Sequence, residues 1–63
     1  MIIVHECNIW DKNGCVCHEN VRYERKFDGC DVDHVKEYLL TEASNRLNLD
    51  MDKVETILAF TQK

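Results

Sequence analysis

Residues 2–14, "IIVHECNIWDKNG", hold a run rich in β-branched and aromatic residues followed by a cluster typical of turns. The run predicts a β-strand over residues 2–10. The next segment, residues 15–27, alternates apolar and charged side chains, which predicts a second strand with one buried face. The two segments together predict an antiparallel β-hairpin over residues 2–27.

The turn between these strands decides how their residues face each other. Asp11 at the first position and Gly14 at the fourth suit a type I turn, with Gly14 in the left-handed conformation. A three-residue loop would place Cys7 opposite Glu19, whereas a four-residue loop would place Cys7 opposite His18. The residues favour the three-residue loop and leave both registers open.

After residue 30 the apolar period lengthens from two to about three and a half. Apolar residues then recur at helical spacing, which predicts a first helix over residues 32–47. Asp31 or Asp33 is placed to cap its N-terminus, since an aspartate accepts hydrogen bonds from the first free amides of a helix. The apolar stripe consists of Val32, Val35, Leu39, Ala43 and Leu47.

A second amphipathic segment follows the break at "NLD". Asp50 offers another cap, and apolar residues at Met51, Val54 and Ile57 predict a second helix over residues 51–61. The predicted fold is therefore α+β, in the order β-β-α-α. It is a single domain over residues 1–63, with the N-terminal antiparallel hairpin packed on two C-terminal helices.

The length and net charge of the chain limit the kinds of partner that it is expected to bind. The chain of 63 residues can bury only a small core, so a metal, a disulfide or a partner subunit would help to stabilise it. Its net charge is −4, with most of the excess acid in residues 31–63. Acidic surfaces repel phosphate groups, so binding to nucleic acid or to an anionic membrane is not expected. A larger protein with a basic surface is the expected partner.

No apolar run approaches the length of a membrane span, and the first ten residues lack the pattern of a signal peptide. A cytoplasmic location is the resulting expectation. The cytosol keeps thiols reduced, so the four cysteines are expected to be free.

Cysteine and histidine spacing gives only a weak metal signal. A zinc module normally repeats a pair such as Cys-x2-Cys, and this chain has none. We therefore expect no metal and expect the cysteines to behave as small apolar residues. The alternative is a zinc-stabilised small binding module, in which the hairpin and its flanks supply the ligands Cys7, Cys17, His18 and Cys30, with His5 or His34 nearby.

A catalytic constellation is not expected. Cys30 precedes the first helix and His34 follows four residues later, so a thiol and imidazole pair is conceivable. Asp31 and Asp33 oppose it, because neighbouring negative charge raises the pKa of a thiol. No phosphate-binding glycine loop is present either, and the expectation is that the protein is not an enzyme.

These observations favour a small acidic intracellular interaction protein, an inhibitor or adaptor that binds a larger protein. By analogy, such chains are often accessory proteins of phages or mobile elements. A homodimer is a further expectation, with two hairpins joined edge to edge into a four-stranded sheet backed by four helices. The candidate partner-binding residues are Trp10, Tyr23, Asp33, Glu37, Asp52 and Glu55.

Overall fold

The computed structural model describes all 63 residues and shows an α+β fold with a three-stranded antiparallel sheet and one helix. The sheet order is β2-β1-β3, so the first strand lies in the middle. No helix combines the length and the apolar character that crossing a membrane requires. The elements are β1 (Ile2–Asp11), β2 (Cys17–Phe27), α1 (Val32–Leu47), a 3-10 turn (Met51–Lys53) and β3 (Val54–Gln62).

The central position of β1 explains its apolar run. Three consecutive residues, Ile2, Ile3 and Val4, are all buried, although successive side chains of a strand point to opposite faces. A strand with neighbours on both sides shields more of its surface than an edge strand does. The predicted first strand is therefore confirmed, and it extends one residue further, to Asp11.

The hairpin is confirmed, but both predicted registers are wrong. Cys7 faces Val21, because the loop spans the five residues 12–16 and β2 carries one extra residue, His18, between the Trp10–Cys17 and Ile9–Glu19 pairs. The expected turn does form, since the Gly14 amide donates to the Asp11 carbonyl at 2.8 Å and Gly14 has φ 77°. The chain needs two further residues before the strands pair, and the Asp11 amide closes the loop on the Val16 carbonyl at 2.9 Å.

Helix α1 has the predicted bounds of residues 32–47. The Asp31 side chain accepts from the His34 amide at 2.8 Å, which makes Asp31 the N-cap. At the other end Asn48 adopts a left-handed conformation with φ 57°, and asparagine tolerates this region better than most residues. The predicted stripe packs inward, with Val35 and Leu39 among the most buried residues of the protein.

The predicted second helix over residues 51–61 is wrong. Only Met51–Lys53 form a 3-10 turn, capped by Asp50 as expected, and residues 54–62 form strand β3. Short apolar segments often satisfy both periods, and here Val54, Thr56 and Leu58 also alternate as a strand requires. Pairing with the second edge of β1 favours the strand over the helix, because it satisfies the backbone hydrogen-bonding groups of both strands.

This strand also overturns the expected architecture of the dimer, a four-stranded sheet backed by four helices. Strand β3 pairs with β1 from Ile2 opposite Gln62 to Asp11 opposite Val54, so β1 has no free edge for a second hairpin. The chain contributes one helix, so four helices cannot back such a sheet. The β-β-α-α order is replaced by β-β-α-β.

The core lies between α1 and one face of the sheet. Buried helix residues Val35, Leu39 and Ala43 pack on the sheet side chains of Ile2, Val4, Cys7, Ile9 and Val54. The ladder between β1 and β3 is interrupted at His5, where β1 carries one residue more than β3. Because the helix covers a single face, the opposite face of the sheet has no covering layer.

Candidate interaction surfaces

The uncovered sheet face is the first candidate surface. Side-chain alternation places Asn8 and Trp10 on this face, opposite the core residue Ile9. Their partners on β3 are Ile57 and Glu55, and paired residues share a face. Ile57 is 49% exposed, whereas Trp10 is half-buried. This face therefore combines an indole ring, an exposed aliphatic side chain and a carboxylate.

The second candidate surface is a groove of about 320 Å³ between α1 and the start of β3, here termed the α1–β3 groove. Leu40, Met51 and Val54 supply its apolar part. Its acidic side chains are those of Asp33 and Glu37, and its basic side chains are those of Lys12 and Lys36. Glu55 also lines the groove, from a strand position whose register turns its side chain to the uncovered face. Thr56 completes the lining.

The structure brings three of the six predicted partner-binding residues together in this groove. Asp33 and Glu37 come from α1, and Glu55 comes from β3. Trp10 pairs in register with Glu55 and so lies close to the same end of the sheet. Asp52 lies in the 3-10 turn beside Met51 and outside the groove lining.

Tyr23, the sixth predicted residue, lies away from the groove. It is half-buried and packs against the core from β2. Burial, and then the neighbouring Cys7, raise the pKa of Tyr23 to about 12. The Arg25 guanidinium lies 5.9 Å from the centre of its ring. These contacts give Tyr23 a packing role in the structure.

The basic stretch "RYERK" at residues 22–26 is divided between the two faces of the sheet. Arg25 points toward the helix, where its guanidinium donates to the Glu42 carboxylate at 2.9 Å. Arg22 and Lys26 pair with Glu6 and Ile3, which places them on the uncovered face. The stretch therefore does not form one continuous basic strip.

A second hollow, of about 520 Å³, follows the outer surface of α1. Every residue that lines it belongs to that helix, so it lacks an opposite wall. A ligand pocket needs convergent groups from more than one element to bury most of a small molecule. This hollow is therefore part of the helix surface. Its lining consists of His34, Glu37, Tyr38, Thr41, Glu42 and Asn45.

The four alternative zinc ligands lie apart. Cys7 faces the core and is 4% exposed, and burial raises the pKa of its thiol. Cys17 is exposed and pairs in register with Trp10, while the His18 imidazole contacts the Asp11 carboxylate across the hairpin loop. Cys30 is exposed at the start of the helix. No group of three or more histidine, cysteine, aspartate or glutamate side chains is arranged to hold a metal ion.

Cys30 and His34 make no hydrogen bond to each other. The Cys30 thiol points to the Asp28 carbonyl, 3.9 Å away, and His34 Nδ1 lies 3.4 Å from the capping carboxylate of Asp31. The hydrogen bond from the His34 amide lowers the pKa of Asp31. Asp31 therefore caps the helix and contacts the His34 imidazole. Cys30 and His34 do not form a hydrogen-bonded thiol and imidazole pair.

Sequence reasoning missed Met51 as part of a surface and missed the edge of β3 altogether. Met51 is 36% exposed in the α1–β3 groove, whereas the helical period places it on the apolar face of a helix. The signal for the strand was present in Val54, Thr56, Ile57 and Thr61, which are β-branched and disfavour a helix.

Comparisons with protein-family models, with curated proteins and with solved structures returned no match to this chain.

Proposed function

We propose that the protein is a small acidic interaction protein of the cytoplasm, an inhibitor or adaptor that binds a basic surface of a larger protein. The proposal includes no catalytic step and no metal. The observation that carries it is that the acidic side chains of Asp33 and Glu37 line one groove that also offers apolar contact area.

Charge distribution supports this surface over the others. Five of the 12 acidic residues engage a cationic or histidine side chain within the protein. The remaining seven have no such partner, and five of these belong to α1 or to residues 50–55, which include the start of β3. Those five residues are Asp33, Glu37, Asp50, Asp52 and Glu55.

The groove suits a lysine or arginine side chain. Such side chains bury an aliphatic stem along apolar surface and keep the charged group at a polar rim. Leu40 and Met51 supply the apolar contact here, and Glu37 supplies a carboxylate. Lys12 and Lys36 offset part of the negative charge, so the proposed affinity is moderate and falls as salt screens it.

The proposal is tested by affinity capture with the purified protein from a lysate of its source cells. We expect one large partner to be retained at low salt and released at high salt. The variant Asp33→Asn/Glu37→Gln removes two groove carboxylates, so we expect it to retain roughly tenfold less partner, as for loss of two interface charge pairs.

The matched control is Glu24→Gln/Asp28→Asn, which changes the net charge from −4 by the same two units outside the groove. We expect this control to retain the partner like the original protein. Equal loss in both variants would show that overall charge drives capture. Capture of no partner at low salt would contradict the proposed function itself.

A further inference from the structure

The two free edges of the sheet differ in their chemistry. Strand β2 carries five charged residues in its 11 positions, which is a common way to prevent edge pairing. Strand β3 carries only one, Glu55, and the run Thr56–Gln62 has none. Ile57 is 49% exposed and Phe60 is 39% exposed. Strand β3 is therefore a long edge without the usual protection.

Backbone hydrogen bonds show which residues of β3 face outward. The Lys63 amide donates to the Met1 carbonyl at 2.8 Å, and the Met1 nitrogen donates to the Lys63 carbonyl at 2.7 Å. The Lys12 amide donates to the Lys53 carbonyl at 2.9 Å. The backbone N–H and C=O groups of the odd-numbered residues of β3 thus bond to β1. Those of the even-numbered residues alternate with them and point to the free edge. These outward residues are Val54, Thr56, Leu58, Phe60 and Gln62.

We propose that β3 pairs antiparallel with β3 of a second copy of this chain, around a two-fold axis at Ala59. This register places Leu58 opposite Phe60 of the second copy, and both belong to the outward set that can exchange backbone hydrogen bonds. An aliphatic and an aromatic side chain directly opposite each other stabilise a strand pair. Ala59 meets its own symmetry mate, where its small side chain allows close approach.

Charge complementarity selects this register over its neighbours. With the axis at Ala59, Glu55 lies opposite Lys63 of the second copy, and the two-fold repeats this pair at the other end. An axis at Leu58 would place Glu55 opposite Thr61, and an axis at Phe60 would place Lys63 opposite Ile57. Only the Ala59 register joins the two charged side chains that flank the uncharged run.

Pairing in this way makes a continuous six-stranded sheet with both helices on the same face, because opposite residues of antiparallel strands share a face. It buries the unsatisfied backbone groups of β3 and covers the exposed Phe60 side chain. The inference does not depend on the proposed function, since it uses the edge of β3 and not the carboxylates of Asp33 and Glu37.

Analytical ultracentrifugation of the full chain over a concentration series tests the inference. We expect a monomer and dimer equilibrium. Glu55→Lys alone and Lys63→Glu alone each place like charges opposite one another, so each should weaken the dimer roughly tenfold. The double variant Glu55→Lys/Lys63→Glu should restore it. Glu24→Lys on β2 carries the same charge change as Glu55→Lys and should leave the dimer unchanged.

Ala59→Lys provides an independent test, because it places two lysines on the two-fold axis while Ala59 is exposed in the single chain. We expect it to be monomeric with an unchanged circular dichroism spectrum. A monomer at all concentrations up to about 1 mM would overturn the inference. So would a dimer that resists both single charge reversals, or a double variant that fails to recover association while folding normally.

Discussion

The guanidinium of Arg25 on β2 and the carboxylate of Glu42 on α1 form a two-pronged ion pair, with N···O distances of 2.9 and 3.5 Å. The same guanidinium lies 5.3 Å from the ring centre of Phe27 and 5.7 Å from that of Tyr38. The pair joins the edge strand β2 to the helix, and the aromatic rings lie beside the guanidinium.

Replacing Arg25 by lysine should destabilise the fold. Lysine keeps the charge but cannot donate two parallel hydrogen bonds or stack its planar group on the rings. We expect Arg25→Lys to lower the free energy of unfolding by about 1 kcal/mol, discounted for the partial exposure of the pair. Urea denaturation measures this loss.

The control for this variant is Arg22→Lys. The Arg22 side chain is 83% exposed and its Nε lies 3.8 Å from the Glu6 carboxylate, so its loss should cost only a few tenths of a kcal/mol, roughly. Equal losses in the two variants would mean that Arg25 contributes no more than an ordinary surface arginine.

Stability should fall in acid because two carboxylates accept hydrogen bonds from arginines. Arg46 lowers the pKa of Glu19, and Arg25 lowers the pKa of Glu42, from an ordinary value of 4.5. A carboxyl group with a lower pKa in the folded state stabilises the fold fully above its unfolded pKa. That stabilisation disappears as the pH falls from about 4.5 through the lower folded value.

The variant Glu19→Gln/Glu42→Gln tests this dependence. Its free energy of unfolding should be lower than that of the original protein at pH 7, and the two curves should converge as the pH falls below 4.5. Urea denaturation across a pH series measures both curves. Curves that stay parallel throughout acid would show that these two residues do not cause the loss.

Thiol reactivity should separate Cys7 from the other cysteines. Cys7 is 4% exposed and burial raises the pKa of its thiol, whereas Cys15, Cys17 and Cys30 are exposed. Alkylation depends on access and on the thiolate form, so we expect three thiols to react quickly and Cys7 to react only after unfolding.

Intact mass spectrometry with iodoacetamide, in buffer and in urea, counts the modified thiols. Cys17→Ser should reduce the fast count by one, and Cys7→Ser should leave it unchanged. Rapid modification of all four thiols in buffer would contradict the buried position of Cys7.

Removal of metal should not change the stability of the protein. The alternative ligands Cys7, Cys17, His18 and Cys30 do not meet in the structure. We therefore expect an unchanged melting temperature when a chelator is added, and a native mass equal to that of the bare chain. A zinc adduct that is lost together with several degrees of melting temperature would favour the zinc-stabilised module instead.

The candidate groove was only partly accessible to sequence reasoning. The carboxylates of Asp33, Glu37 and Glu55 were predicted as binding residues from the acidity of their segments. The groove that these residues line was not predictable, because it depends on β3 lying beside α1. The role of Tyr23 was also only partly predictable. The alternation of β2 predicted that Tyr23 lies on a buried face, but only the structure shows that its ring packs at the edge of the core.

The sequence by itself predicted the hairpin strands, the Asp11–Gly14 turn and α1, because local interactions determine them. Alternation, a positive φ at glycine and an aspartate cap act over a few neighbouring residues, so their signals survive without tertiary contacts. The hairpin register, the central place of β1 and the conformation of residues 54–62 depended on the tertiary structure. Residues 54–62 satisfy both periods, and the unpaired backbone along the second edge of β1 selects the strand.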